Sequence, residues 1–350
     1  MTGAVLLYGA TGRAGRLLAR RLRDDGHAVV LGGRDARKLG ALAGELDVPF
    51  RAFGLGPDAP IDDALADVDV VLHAAGPFVN TASPMMSACI RSGVHYLDLT
   101  GEWPVFVEAM DRSSAAAEAG VMLMPGVGFT LVASDCLLAL AVTRVPNTVK
   151  LRLAISRPEA ISRGSIRSLA PLIGPEILVR RAGQLRGVPA GRLTHDVDFG
   201  RGRTETTAVC WPDVVTGEFT TGVADIETYA ESHWAARLTH RLSAATTAWT
   251  GVRTRQAMSD AVSLAWPETL PARVGAGFVL VAEAVDRWRR STPIRMRTQD
   301  GYDVSVITAC EIVRRLLNDE WESGFRTPGS LYGGDFILGL GCAELDTSVN

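Results

Sequence analysis

The segment Ala4-Val5-Leu6-Leu7-Tyr8-Gly9-Ala10-Thr11-Gly12-Arg13-Ala14-Gly15 decides how the chain folds. Ala4 to Tyr8 is a short apolar run closed by glycine, the pattern of a buried strand. Gly9, Gly12 and Gly15 follow at three-residue spacing, and Arg16-Leu17-Leu18-Ala19-Arg20-Arg21-Leu22 begins a helix. Strand, glycine turn and helix in that order present backbone N–H groups to a pyrophosphate at a helix N-terminus. Gly9, Thr11, Gly12, Arg13, Ala14 and Gly15 are therefore expected to bind a dinucleotide. The alternative is a structural βα turn with no ligand.

Outward from this turn, His27-Ala28-Val29-Val30-Leu31-Gly32-Gly33 reads as the second strand. An NAD-binding domain places an acidic residue at that strand's end for the ribose hydroxyls, but here the chain has Arg34. A guanidinium suits a 2′-phosphate, so the expected cofactor is NADP(H). Asp35 reads as the N-cap of the next helix, with Arg37 and Lys38 as further phosphate contacts or solvated helix residues. A strand around 50–53 follows, and then Asp69-Val70-Val71-Leu72-His73 runs into Ala74-Ala75-Gly76-Pro77. Ala74, Ala75 and Gly76 would let backbone approach the cofactor, with Pro77 beside them also expected to contact it as it launches the next helix, whereas His73 within the strand reads as packed.

Val94-His95-Tyr96-Leu97-Asp98-Leu99-Thr100-Gly101-Glu102 is the fifth strand and its exit loop. Alternation puts His95, Leu97 and Leu99 on one face and Tyr96 and Asp98 on the other. A helix from 105 to 119, a strand at 121–124 and the loop Pro125-Gly126-Val127-Gly128-Phe129 lead to a helix carrying Ser134 and Asp135. Alternating strands and helices predict an α/β domain with a Rossmann-type doubly wound parallel sheet. Hydride transfer leaves a negative charge to be quenched, so a general acid is needed. Tyr96, Asp98, Glu102 and Asp135 are the candidate donors, with His95 behind them; capping or packing is the competing role of each.

Bulk properties bound the rest. At 350 residues, 47% hydrophobic and 21% charged, the chain is long enough for two packed domains. A net charge of −3 argues against a nucleic-acid partner, and Arg287-Trp288-Arg289-Arg290 is short enough to be a solvated group. No apolar run reaches the roughly 18 residues of a membrane span, and the greasy stretch 130–145 carries Asp135. Five scattered cysteines without CxxC spacing are expected to be free thiols in a reducing, cytoplasmic setting.

The sequence resembles the saccharopine dehydrogenase-like oxidoreductases, including the shorter bacterial members described as trans-acting enoyl reductases. The resemblance rests on GATGRAG (9–15), GGRDARKL (32–39), HAAGPF (73–78) and HYLDLTGE (95–102), with PGVGFTLVASDC (125–136) and FRTPGSLYGGDFILGL (325–340) in support. It implies an NADP-binding Rossmann domain, a second α+β domain, and a C-terminal part that packs back on the first. Short-chain dehydrogenases share the glycine spacing but need a Tyr and a Lys four residues apart on a helix. This chain has only two lysines, Lys38 and Lys150, preceded four residues earlier by Arg34 and Pro146. That catalytic pair is absent.

Beyond residue 147 the pattern changes. Strands are expected at 149–156, 193–199, 204–211, 224–229 and 278–284, the last paired with 294–298. Helices are expected at about 164–182, at 232–249 and at 304–317. His233 and His240 share a helix face but lack a third ligand, so no metal site is assigned. The expected domains are 1–140 for NADP, 141–300 for substrate or for a second subunit of a homodimer, and 301–350 as helix and tail. The expected activity is NADPH-dependent reduction of an activated C=N bond of a small metabolite. The alternatives are enoyl C=C reduction and NADP(H) sensing without catalysis.

Overall fold

A computed structural model describes residues 3–156, 176–231 and 277–346. Two compact units emerge, the first made of 1–100, 104–132 and 302–331 and the second of 101–103, 133–301 and 332–350.

The first unit bears out the doubly wound sheet. Its parallel strands are β1 (Ala4–Tyr8), β2 (Ala28–Gly33), β3 (Phe50–Ala52), β4 (Val70–His73), β5 (His95–Asp98) and β6 (Met122–Met124). They lie in the order β6-β5-β4-β1-β2-β3. Strands on both sides of β1 bury it completely: Leu6 pairs with Val30 of β2 and with Val71 of β4, and Val5, Leu6 and Leu7 are fully buried. An apolar run without alternation is what a strand covered on both faces requires. The chain winds away from β1 in both directions, so the crevice at the carboxyl ends of β1 and β4 is the topological switch point where ligands bind in such sheets.

The helix expected at 105–119 is two helices, Trp103–Asp111 and Ser113–Glu118. Arg112 stands at the break, bonded to Ser83, Ser87 and Glu108. The segment 302–331 also belongs to the first unit: the helix Gly301–Leu317 buries Val304, Ile312, Val313 and Leu316. A two-residue strand, Gly324–Phe325, then extends the sheet beside β6. That strand is too short to carry any periodicity.

The second unit is built on a mixed sheet. Its strands are β7 (Thr148–Ile155), β8 (Glu176–Arg181), β9 (Gln184–Pro189), β10 (Thr194–Asp198), β11 (Arg203–Ala208), β12 (Ile226–Glu231), β13 (Val279–Asp286) and β14 (Ser291–Thr298). The order runs β10-β11-β12-β7-β13-β14, with the β8–β9 hairpin attached through β12. The described part of the helix expected at 164–182 is strand β8, a correction; the remainder lies outside the described residues, as do 232–249 with His233 and His240. Alternation along β7 marks a sheet face that carries charge. Leu151 and Leu153 are fully buried on one side, while Lys150 and Arg152 meet Glu227 on the other at 2.8 and 3.4 Å.

Candidate functional site

The glycine turn explains itself through what a methyl group would meet. Gly9 has φ +86°, and a Cβ there would lie 2.8 Å from Ala74 and Ala75, the residues that leave β4. At Gly15 a Cβ would stand 2.3 Å from the Gly9 carbonyl oxygen, so this glycine lets the helix Arg13–Asp24 seat directly on the turn. At Gly12 the nearest atom is 3.4 Å away. Each glycine has a different reason: turn geometry, open approach from outside, and close helix packing.

Gly12 caps the helix without a side-chain hydrogen bond, and no acidic residue sits in the first turn. The first intrahelical bond at this end is Arg16 N–H to Gly12 O at 2.9 Å. Arg13, Ala14 and Gly15 thus present the N–H groups that a helix start offers to an anion. Arg16 Nε donates to the Thr11 carbonyl at 3.2 Å and fixes the turn from behind. On the β4 side, Thr81 Oγ1 donates to the carbonyls of Ala75 and Pro77 at 2.8 and 3.1 Å, pinning the Ala74–Pro77 loop with Gly76 exposed. A turn without a cap and a rim without side-chain bulk fit a dinucleotide pyrophosphate.

Arg34 is exposed at the end of β2 and makes no ion pair among the described residues. It lies beside Tyr8, whose phenol is raised by burial, with a partial offset from the Arg34 charge. Asp35 caps the next helix, accepting Lys38 N–H at 3.0 Å, and Lys38 Nζ stands 3.6 Å from the same carboxylate. Capping is what the sequence suggested for Asp35. Arg34, unlike Lys38, is thus without a carboxylate partner among the described residues, at the strand end where a 2′-phosphate would be met. Arg34→Ala is expected to weaken NADPH binding about 10- to 100-fold, the worth of one or two charge-assisted hydrogen bonds. NADH titrated in parallel should change less than about twofold on the same grounds. Equal losses for both nucleotides would remove the 2′-phosphate from Arg34.

Tyr96 and Asp98 share a face of β5 and are bonded to each other. Tyr96 Oη donates to Asp98 Oδ2 at 2.7 Å, and Asp98 Oδ1 accepts the backbone N–H of Thr100 and of Gly126, both at 2.8 Å. Because the Tyr96 proton goes to Asp98, His73 donates from Nδ1 to Tyr96 Oη across 3.2 Å. Burial holds the His73 pKa down at about 3, so this ring is neutral. His95 serves elsewhere: Nδ1 accepts Met122 N–H at 3.0 Å and the ring packs on Trp321, at the amino end of β5.

Glu102 and Asp135 belong to the second unit and are both buried. Asp135 Oδ1 accepts Thr220 Oγ1 at 2.5 Å, and the adjacent Ser134 Oγ donates to Asp213 Oδ2 at 2.9 Å. Asp213 escaped the sequence reading because an isolated acid after Trp211-Pro212 carries no pattern. Burial first, and then the nearby Asp135, push its carboxyl well above the usual range. Native Asp213 thus keeps a proton that the unfolded chain releases near pH 4. Stability is lost as pH rises through that window. Asp213→Asn is expected to raise the midpoint of thermal unfolding little at pH 4 and increasingly toward pH 8. A difference independent of pH would contradict the buried proton.

Comparison with known proteins bears on the same residues. Residues 5–124 match the family model of the saccharopine dehydrogenase NADP binding domain. Trans-acting enoyl reductases of Mycobacterium ulcerans and Mycobacterium leprae are each 30% identical over 139 residues, 37% of this chain and 33% of theirs. The matched region thus spans about one third of those relatives. Apo saccharopine dehydrogenase (L-Glu forming) from Saccharomyces cerevisiae superposes with a TM-score of 0.63 at 11% identity, covering 99% of this chain and all of that one. That likeness concerns the fold. The family match and the uncapped turn agree that residues 5–124 bind NADP.

Proposed function

We propose that this chain, which carries the NADP-binding domain of the saccharopine dehydrogenase-like oxidoreductases, is an NADPH-dependent reductase acting on a conjugated C=C bond. The observation that carries the cofactor reading is Arg34, a guanidinium without an ion pair among the described residues, at the strand end beside the glycine turn. The choice of C=C over C=N rests on the curated relatives, which are named enoyl reductases. When bound, NADPH supplies the hydride.

The residues of the chain do the remaining work. Backbone N–H groups of Arg13, Ala14 and Gly15 hold the pyrophosphate, and Arg34 grips the 2′-phosphate, with Lys38 contributing charge. Ala74, Ala75, Gly76 and Pro77 form a wall without side-chain bulk. Tyr96 and Asp98 bond each other, Tyr96 also meets His73, and Asp98 also accepts the backbone N–H groups of Thr100 and Gly126. Their proposed role is to hold the loop 125–128. Completing the reduction takes one proton from a general acid. Hydride addition to the β-carbon of an enoyl group leaves an enolate, which takes that proton at the α-carbon.

The test is loss of reduced-nicotinamide absorbance with two substrate sets, α,β-unsaturated thioesters and enones against cyclic imines. Turnover on the first set is expected. Turnover confined to imines would replace C=C by C=N, the bond that the sequence alone suggested. Tight NADPH binding with no turnover on either set would leave a nucleotide sensor.

A further inference from the structure

We infer that Tyr302 is a positioning residue for the cofactor, holding Arg13 against the pyrophosphate; this rests on the reading of residues 5–124 as an NADP domain. Arg13 is the first residue of the helix behind the glycine turn, and its Cζ lies 4.3 Å from the centroid of the Tyr302 ring. Both belong to the first unit, although 289 positions separate them in the chain (302 minus 13).

The other arginines of that helix are committed. Arg16 bonds the Thr11 carbonyl, Arg20 pairs with Glu45 at 2.8 Å, Arg21 with Asp25 at 2.8 Å and Arg23 with Asp24 at 2.5 Å. Arg13 has no carboxylate partner among the described residues, and it is exposed. A guanidinium lying on an aromatic face keeps its in-plane N–H donors available, and it has already lost the rotamer freedom that anion binding would otherwise cost. Stacking on a ring while lacking a carboxylate is the state of a cation prepared for an anionic ligand.

The position of Tyr302 selects which phosphate that is. Its helix is tied to the loop after β6: Ser305 Oγ accepts Phe129 N–H at 3.0 Å, and Thr308 Oγ1 donates to Val127 O at 2.8 Å. β6 lies on the β4–β5 side of β1, whereas Arg34 follows β2 on the opposite side. Tyr302 therefore draws Arg13 away from the 2′-phosphate end and along the pyrophosphate, a group common to NADPH and NADH.

Nucleotide binding by the full chain, followed by fluorescence titration with NADPH and with NADH, tests this. Tyr302→Ala is expected to weaken both nucleotides by the same factor, about 3- to 10-fold from a lost cation–π contact. Tyr302→Phe should bind like the parent protein. In an Arg13→Ala background, Tyr302→Ala should cause no additional loss, since the ring acts through the guanidinium. If Tyr302→Ala does not fold, Tyr302→Leu keeps bulk without the π face and takes its place. Unchanged affinity, a loss confined to NADPH, or the same loss in the Arg13→Ala background would each overturn the assignment. A parent protein that binds neither nucleotide would instead overturn the cofactor reading beneath it.

Discussion

Replacing Gly15 by alanine is expected to cost at least ~100-fold in NADPH affinity, equivalent to about 2.8 kcal/mol at 1.4 kcal/mol per tenfold. The added Cβ would lie 2.3 Å from Gly9 O, 2.8 Å from Ala10 Cα and 2.9 Å from Ala10 C. All three are backbone atoms, so no side chain can swing aside, and van der Waals contact requires a separation greater by about 1 Å. Either the helix Arg13–Asp24 lifts or the turn opens. Both movements shift the N–H groups of Arg13 and Ala14 that are proposed to hold the pyrophosphate, and such alignment decides the strength of charge-assisted bonds. Overpacking should also lower stability by about 1–3 kcal/mol. Gly12→Ala is the informative comparison, because its Cβ meets only Gly9 O, at 3.4 Å. It should retain the unfolding midpoint of the parent protein in the absence of cofactor while losing NADPH affinity, because the methyl group projects into the approach. Titration and thermal unfolding of both variants check this pair of outcomes. A Gly15→Ala protein with parental affinity would show that the turn does not hold the pyrophosphate.

The contrast between these glycines also explains which parts of the molecule were legible in the sequence. The turn could be read because each of its requirements is local: an apolar strand, three glycines and a helix within about twenty residues. The cap role of Asp35 and the shared face of Tyr96 and Asp98 are local for the same reason. The β8–β9 hairpin was misread as helix because its turn runs through Ala182 at φ +49° and Gly183 at φ +75°, and alanine gives no turn signal. Arg180 inside β8 added a polar residue where burial is expected. Its guanidinium donates to the carbonyls of Val214 and Val215 at 2.9 and 3.1 Å, partners that only the fold supplies. Tyr302 and Asp213 depend on contacts with segments far away in sequence, so no spacing rule reaches them. What was legible in the candidate site is its cofactor half, which a short motif builds. The buried pairs Ser134–Asp213 and Asp135–Thr220 are instead assembled from segments far apart in sequence.

The network around Asp98 yields the second large effect. Asp98→Ala is expected to destabilise the protein by about 3–5 kcal/mol, because it removes the acceptor of three buried donors, two of them N–H groups then left unpartnered at about 1–3 kcal/mol each and the third left with only His73 Nδ1 to turn to. Those donors are the N–H groups of Thr100 and Gly126 and the hydroxyl of Tyr96, at 2.8, 2.8 and 2.7 Å from the carboxylate. Water cannot easily replace it, since Asp98, Thr100 and Tyr96 have no exposed surface. Asp98 also accepts Val127 N–H through its own carbonyl at 2.8 Å, so the bend after β6 retains one tie when the side chain is lost. Asp98→Asn separates charge from connectivity. Its amide oxygen can accept both backbone N–H groups, while its NH2 must then donate to Tyr96 Oη. The Tyr96 proton is thereby redirected to His73 Nδ1, and the ring proton moves to Nε2, a nitrogen that has no hydrogen-bond partner. The reversed chain remains connected except for one unpartnered N–H, so the cost should fall to about 1–3 kcal/mol. Denaturant unfolding of both variants measures the difference, and nitrogen chemical shifts of His73 report the tautomer directly. If Asp98→Asn is as damaging as Asp98→Ala, the negative charge and not the connectivity holds the loop. If neither variant loses stability, Asp98 is free for the chemical step and returns to the candidate proton donors.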